Sequence, residues 1–322
     1  MKHFIVSISL LLCLAFTAQA QTRIPFTQPD TVKNPLRVGL VSGGILGTYG
    51  LALGGLNYYW YKDYPRSKFH FFDDGREWMG VDKAGHMFNS YYQSRWAMGM
   101  YRWTGVKNRT AVWVGGLTGT FLQSSIEVLD GFSDKWGFSN YDFLANMAGS
   151  ALVIGQELAC GEQRIVMKVS AHRPAYPADL EPRAASLYGT TPPEILLKDY
   201  NAITTWFSFN VSSFMKRERK FPKWLNVAVG YGANGMYGGF ANQWCLTPNT
   251  EYCDCDPSQQ VSRTDVRRYP QFYLSLDIDL TRIKTKSKAL RALFGVFNII
   301  KIPAPTIEFN PVDKVKFHPL FF

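Results

Sequence analysis

The sequence lacks the motifs that would assign it to a familiar biochemical class. It has no internal repeat and no low-complexity tract, which excludes a repeat protein. No nucleic-acid motif accompanies the net charge of +10, so we expect no nucleic acid as a partner. No Ser or Cys nucleophile stands at a recognisable turn, and no two ligands form a diagnostic metal motif. Catalysis is therefore not readable from any single motif.

The chain is rich in cations and aromatic rings. Aromatic residues make up 15% of it, with 9 Trp and 17 Tyr, and such rings concentrate at interfaces and membrane boundaries. For an exported chain, the basic excess favours anionic lipid headgroups or acidic glycans as partners. A merely solvated basic surface is the alternative, and an envelope protein partner stays open.

The first twenty residues have the pattern of a secretory signal peptide. A short positive start precedes an apolar run from Phe4 to Phe16, and Ala18 and Ala20 supply the small residues of a cleavage site. We expect cleavage after Ala20; an uncleaved anchor is the alternative, for which the apolar run is short. Leu12 precedes Cys13, which departs from the bacterial lipoprotein pattern, so no N-terminal lipid is predicted.

Four helical segments are predicted between residues 36 and 160. The first is glycine-rich, with a spacing that suits close helix packing in a bilayer. They run from Leu36 to about Trp60, Asp82 to Trp103, Thr110 to Leu129, and Tyr141 to about Leu158. They predict a membrane-associated four-helix bundle. The mean hydropathy of the whole chain, −0.13, is low for a protein of many spans, so partial embedding stays open as an alternative.

Polar residues recur at helical spacing on three of these segments, so each segment carries a polar stripe. Three stripes imply one shared polar interior, and ionisable groups in an apolar bundle usually mark a site or an organised network. The predicted cluster contains Asp82, Lys83, His86, Asn89, Gln123, Glu127, Asp130, Asp142 and Asn146.

Three uses of this cluster are open. His86 with Glu127, Asp130 and Asp142 could hold a divalent metal that activates water, or His86 could act as a general base. The second use is a structural network in which Lys83 and the carboxylates neutralise each other. The third is a pocket that binds a lipid or glycolipid without chemistry. No cofactor is established by the residues, and a divalent metal is the one candidate.

The period of the pattern changes in the second half of the chain. Prolines crowd the stretch 171–194, which we interpret as a linker. From residue 200 to 322 a period of two indicates strands, most clearly where apolar residues alternate with polar ones from Phe272 to Thr281. Leu290 to Ile300 predicts one basic amphipathic helix. The fold class is therefore α+β, a helical bundle followed by an antiparallel sheet or a partial barrel.

Three cysteines lie close together in a loop-like stretch: Cys245, Cys253 and Cys255. In an exported chain, a disulfide is their expected use. The spacing matches no standard zinc pattern. Which two of them pair is not readable from the sequence.

One block of the chain resembles a known family. Asp82-Lys83-Ala84-Gly85-His86, then Glu127-Val128-Leu129-Asp130-Gly131, then Gly137-Phe138-Ser139-Asn140-Tyr141-Asp142 resemble the YfiM-like predicted periplasmic lipoproteins, a domain family of unknown function. The same blocks are faintly similar to VanZ-like membrane proteins. The YfiM-like resemblance covers about Trp78 to Gly155, implies an envelope location and a compact helical domain, and carries no established activity. The C-terminal half is not explained by it.

Two functions follow as expectations. The first is a non-enzymatic envelope protein whose helical region is seated in or against a membrane and binds a partner or lipid. The second is a metal-dependent hydrolase acting on a lipid-linked or envelope glycan substrate, with His86, Glu127, Asp130 and Asp142 as its site. We expect an exported chain in a bacterial cell envelope, with the outer membrane or periplasmic face favoured over the inner membrane.

Overall fold

The computed structural model describes residues 29–30, 32–58, 64–215, 221–246 and 255–322. The predicted signal peptide, 1–20, and Cys253 lie outside these residues. The chain forms two compact units: one holds residues up to 74, 83–164 and 280–298, and the other holds 75–82, 165–279 and 299–322. The predicted mixture of helix and sheet is confirmed, and the sheet is antiparallel.

The first unit is mainly helical. It contains α1 (Pro35–Leu56), α2 (Val81–Trp103, whose first two residues are grouped with the other unit), α3 (Gly116–Asp130), α4 (Asn140–Cys160) and a short later helix. A helical turn and one π-helix, Ala111–Gly115, lead into α3. A short parallel pair, β1 (Phe71–Phe72) with β2 (Phe138–Ser139), joins the segments before α2 and α4.

Helices α2, α3 and α4 approach one another closely at glycines. A Cβ placed on Gly119 of α3 would lie 2.0 Å from the Ser90 carbonyl oxygen, and one on Gly149 of α4 would lie 2.3 Å from the Met87 carbonyl oxygen. At these distances a side chain larger than the hydrogen atom of glycine would overlap the neighbouring backbone. These two glycines therefore set how near α3 and α4 come to α2.

The glycines of α1 are used differently. Our expectation was that their spacing serves close packing, yet a Cβ on Gly39, Gly43 or Gly47 would meet nothing within 4 Å. Helix α1 instead touches its unit through polar groups, since the Ser42 hydroxyl lies 2.9 Å from the Tyr101 hydroxyl. By length and composition α1 and α4 could each cross a bilayer, and α1 is the less buried of the two.

The second unit is built on six antiparallel strands. They are β3 (Ile165–Ala171), β4 (Ile203–Asn210), β5 (Leu225–Asn234), β8 (Tyr269–Ile278), β9 (Ala304–Asn310) and β10 (Lys314–Phe321), and a separate hairpin holds β6 (Gln243–Cys245) and β7 (Gln260–Ser262). The order across the six-stranded sheet is β10-β9-β8-β5-β4-β3. The described residues thus form the sheet alternative. Strand β3 lies outside the predicted region 200–322.

The proline-rich stretch contains two short helices, where we expected a linker without them. They are α5 (Glu181–Tyr188) and α6 (Pro192–Lys198). Pro182 and Pro192 stand in the first turn of their helices, where a missing N–H costs nothing. The buried hydroxyl of Tyr188 donates to the Met236 carbonyl at 2.8 Å. Helix α5 is therefore packed against the chain at Met236 and is not part of an extended linker.

The basic amphipathic helix forms α7 (Lys288–Phe297), with Ser287 as its N-cap. Its sequence lies within the region 200–322, but its contacts group residues 280–298 with the helical unit. The order of segments in the sequence shows which segments are adjacent along the chain. It does not show which compact unit a segment packs into. Leu293 and Phe297 on its apolar side are about half exposed.

A disulfide joins Cys245 at the end of β6 to Cys255, with 6.1 Å between their Cα atoms. It closes the loop between the two strands of the hairpin. Cys160 at the end of α4 is an exposed free thiol.

Candidate functional site

The site lies within the helical unit, where four segments bring charged side chains together. Lys83 and His86 stand on the first turns of α2, Glu127 near the end of α3, and Asp142 on the first turn of α4. Asp74 joins them from the segment after β1. We call these five residues the ionic cluster.

Lys83 is the cation at the centre of the cluster. Its Nζ lies 3.0 Å from Oδ1 of Asp142 and also donates to Oδ2 of Asp74. All three side chains are at most 15% exposed. One ammonium group therefore compensates two carboxylates that would otherwise be costly to bury.

His86 lies among three acceptors, two near one ring nitrogen and one near the other. Nδ1 is 3.5 Å from Oε1 of Glu127 and 3.3 Å from Oδ1 of Asn146, whereas Nε2 is 3.8 Å from Oδ2 of Asp142. Glu127 is 2% exposed. The imidazole thus bridges α3 and α4 from its position on α2.

Ser139 places Asp142 and Asp74 relative to each other. It is the N-cap of α4, where its hydroxyl accepts from the Asp142 amide at 2.9 Å and donates to Oδ1 of Asp74 at 2.5 Å. The pairing of Phe72 with Ser139 in β1 and β2 delivers Asp74 to this point. Backbone pairing and a helix cap therefore build one side of the cluster.

The charge of Asp74 is maintained by these contacts. Burial would raise the pKa of its carboxyl, but hydrogen bonds with Asp142, Lys83 and Ser139, together with the ammonium charge of Lys83, hold that pKa below its ordinary value. Asp74 therefore stays ionised at neutral pH as the partner of Lys83.

Below the cluster, small hydroxyl side chains continue the polar interior. Ser90 donates to the Asn146 carbonyl at 2.6 Å, and Ser94 and Thr120 meet the Ser150 hydroxyl at 2.8 and 2.7 Å. The helices that glycine brings together are thus joined by hydrogen bonds in addition to buried apolar side chains such as Leu122 and Val153. Such bonds are favoured where water does not compete.

The predicted polar residues divide into two groups. The structure brings together Lys83, His86, Glu127, Asp142 and Asn146. Asp82 accepts from the Tyr200 hydroxyl at 3.2 Å, and its carboxylate also offers an oxygen within 4.8 Å of ligand atoms of His86 and Asp142. The others lie apart: Asn89 is exposed, Gln123 is buried one turn before Glu127, and Asp130 is half-buried at the end of α3. The residues of α2 that face inward include Ser90 and Ser94. The predicted inward face passed through Asn89, one residue earlier in the sequence.

Sequence reasoning missed Asp74, Ser139 as a cap, and the serine network. Asp74 stands in a loop, where no periodicity marks a residue as inward. The cap had a readable signal, because Ser139 stands three residues before Asp142 at the start of a helical pattern. The serines are small enough to be taken for ordinary helix-packing residues.

The geometry bears on whether the cluster could hold a metal. An imidazole binds a metal through one ring nitrogen, and here Glu127 faces Nδ1 while Asp142 faces Nε2. A single ion on one nitrogen would meet one of these carboxylates and not both. Lys83 also contacts Asp142 and would repel a cation there. These contacts do not place Glu127 and Asp142 together on one ion held by His86, whereas Asp82, His86 and Asp142 each offer a ligand atom within 4.8 Å of the others.

The chain is a mixed helix and sheet protein, with a helical unit followed by an antiparallel sheet. The interior of its helical unit is polar and holds the ionic cluster. Residues 70–155, which contain the whole cluster, match the model of a family described as predicted periplasmic lipoprotein (DUF2279). This confirms the resemblance read from the sequence and supports an exported protein at the periplasmic face of the cell envelope. No curated protein and no solved structure matches the chain.

Proposed function

We propose that this chain is a non-enzymatic envelope protein whose helical unit is seated in or against a membrane as a four-helix bundle, with the ionic cluster as its internal scaffold. The role of such a unit is to hold the protein at the membrane and to contact lipid. The chemistry of the cluster is structural, because Lys83 pairs with both Asp74 and Asp142, and the His86 ring lies 3.5 Å from the Glu127 carboxylate.

The observation that supports the proposal most strongly is the distribution of apolar and polar side chains in the helical unit. Large apolar residues are exposed while charged and hydroxyl groups are inside. The exposed ones include Leu40, Leu46 and Leu51 on α1, Leu117 and Phe121 on α3, and Leu144 and Leu158 on α4. Phe121 is 66% exposed and Glu127, less than two turns away, is 2% exposed.

Water and lipid give opposite free energies to this arrangement. In water, each exposed Leu or Phe forgoes about 1.5 to 3 kcal/mol of burial, and patches of this kind are rare on soluble monomers. In a bilayer the same side chains face a matching solvent, while polar groups turn inward and pair. Helix α7, with Lys288 and Arg291 beside its apolar side, suits the interface between headgroups and acyl chains.

Fractionation of cells that express the full-length chain tests the proposal. We expect the protein to remain in the membrane pellet after washes with high salt and alkaline carbonate. Release into the supernatant by either wash would overturn it. Phe121→Lys sharpens the test, because a lysine is harmless on a water-exposed helix but costs about 2.5 kcal/mol or more in the lipid region. We expect less folded protein in the membrane for Phe121→Lys, and parent levels for Asp134→Lys in an exposed loop.

A second candidate function is a metal-dependent hydrolase for a lipid-linked or envelope glycan substrate. The observation that favours it is that Asp82, His86 and Asp142 each offer a ligand atom within 4.8 Å of the others. Elemental analysis of the detergent-extracted protein tests this candidate. About one equivalent of a divalent metal in the parent, lost in His86→Ala, would support a hydrolase, and no metal in either sample would count against it.

A further inference from the structure

The six-stranded sheet carries a continuous apolar face. Register places Phe317, Ile307, Leu274, Val229 and Phe207 side by side across five strands. Of these, Phe317 is 63% exposed, and Ile307, Leu274 and Val229 are each exposed by more than a third. A neighbouring row adds Val315, Phe309, Phe272 and Tyr231. These two rows are the apolar face.

The opposite side of the same strands is buried and holds polar groups around a cluster of Trp206, Tyr273 and Phe321. Lys168 of β3 forms a 2.8 Å ion pair with Asp277 of β8, and both side chains are fully buried. Glu308 of β9 is 2% exposed and meets His318 of β10 at 2.7 Å. Strands β4, β5, β8 and β9 therefore expose apolar residues and bury polar ones in alternation, the reverse of a water-soluble sheet, where apolar residues point inward.

This reversed alternation has a physical explanation only in a non-aqueous surrounding. Burying charges and exposing Phe and Leu both cost free energy in water, so the two faces together oppose folding there. Against hydrocarbon, exposure of the apolar side chains is favourable. The charged groups are stable only on the buried side, where they pair with one another. Sheets that face lipid show this alternation, with apolar residues outward and polar residues inward.

The ends of the sheet carry groups suited to a membrane boundary. Leu225 to Tyr231 of β5 spans about 20 Å at roughly 3.4 Å per residue. Trp224, 40% exposed, precedes β5 at one end. At the other end lie Tyr269 and the exposed cations Arg267 and Lys314. Aromatic rings and cations concentrate at the level of headgroups.

We propose that the apolar face of the sheet lies against the acyl chains of membrane lipids, with Arg267 and Lys314 at the level of anionic headgroups. This surface is separate from the helical unit and goes beyond the function proposed for that unit. Lipid is favoured over a second copy of the chain because both units independently expose apolar residues around polar interiors. A lipid surrounding explains the exposed apolar residues of both units, whereas a protein partner would need a complementary surface for each unit separately.

Photo-crosslinking from single positions of the full-length chain in its membrane tests this proposal. A benzophenone amino acid replaces Phe317 in one variant and Lys316 in another. The two are adjacent on the edge strand β10 and both exposed, but they belong to opposite faces. We expect phospholipid adducts, identified by mass, to be at least fivefold more abundant from position 317 than from position 316.

Several outcomes would overturn the proposal. A crosslinked dimer from position 317 would assign the face to a second copy, and an adduct with another protein would assign it to a partner. Equal lipid yields from positions 317 and 316 would remove the distinction between the faces. A probe at Phe121 in α3 separates the two proposals: lipid adducts there without adducts at 317 reject only the sheet surface, and none at either position rejects both.

Discussion

The Lys83 ammonium lies 3.0 Å from Oδ1 of Asp142 and at the same time donates to Asp74. A single side chain thus links helix α2, the start of α4 and the segment after β1. Because an ionic contact between buried groups depends on every member, removal of one leaves the others in an unfavourable surrounding.

Removal of His86 or Glu127 is expected to destabilise the helical unit. His86→Ala and Glu127→Ala each delete one side of the 3.5 Å contact, and we expect a loss of about 1 to 3 kcal/mol in the free energy of unfolding in detergent. His172→Ala, at an exposed histidine, is the control and should stay within about 0.5 kcal/mol of the parent. Variants as stable as the parent would indicate a catalytic site instead of a network.

Two glycines of α4 should respond in opposite ways to alanine. Gly149→Ala places a methyl 2.3 Å from the Met87 carbonyl, whereas Gly155→Ala meets nothing within 4 Å. We expect Gly149→Ala to destabilise by about 1 to 3 kcal/mol through overpacking, and Gly155→Ala to be neutral or stabilising by up to about 1 kcal/mol. Thermal unfolding of the two variants side by side measures this difference. Equal effects would contradict the close approach of α2 and α4.

The disulfide between Cys245 and Cys255 should stabilise the hairpin. Its loop is short, with a sequence separation of 10, so Cys255→Ser is expected to cost about 2 to 3 kcal/mol. Cys160→Ser at the free exposed thiol is the control and should leave stability unchanged. Mass mapping of peptides without reduction identifies the pair, and a different pairing of Cys245 would refute this assignment.

Lys301 should make stability depend on pH. Its side chain is fully buried, and burial lowers its pKa from 10.5 to about 8, although Asp277 opposes the shift. Because the unfolded chain binds this proton more tightly, the buried lysine reduces stability below pH 8, and the penalty disappears as pH rises from about 8 to 10.5.

A comparison with Lys301→Met isolates this effect from other titrating groups. The variant should be more stable than the parent by roughly 3 kcal/mol at pH 7, and the difference should shrink toward pH 10.5. A difference that stays constant from pH 7 to 10.5 would mean that Lys301 titrates alike in both states.

Periodicity predicted the parts of the fold that depend on local pattern. Strand β8 was readable because Phe272, Leu274 and Leu276 alternate with polar residues, and the charged positions of α2, α3 and α4 were readable from helical spacing. The pattern did not tell which side of β8 faces solvent, since reversed and ordinary sheets share a period of two.

What the sequence could not predict depends on contacts between distant segments. Asp74 joins the cluster through the pairing of β1 with β2, and residues 280–298 join the helical unit from the far end of the chain. Neither has a local signature. The exposed position of Asn89 shows the limit of a stripe drawn on an ideal helix, because a shift of one residue turns a side chain by about 100°.

Unfolding of Lys83→Met, alone and with Asp74→Asn and Asp142→Asn, tests the structural role of the ionic cluster most directly. We expect Lys83→Met to lose about 3 to 5 kcal/mol and the triple variant to regain a large part of that loss, because the stranded carboxylates are then neutral. A Lys83→Met protein as stable as the parent, or a triple variant no more stable than Lys83→Met, would contradict the scaffold role of the cluster.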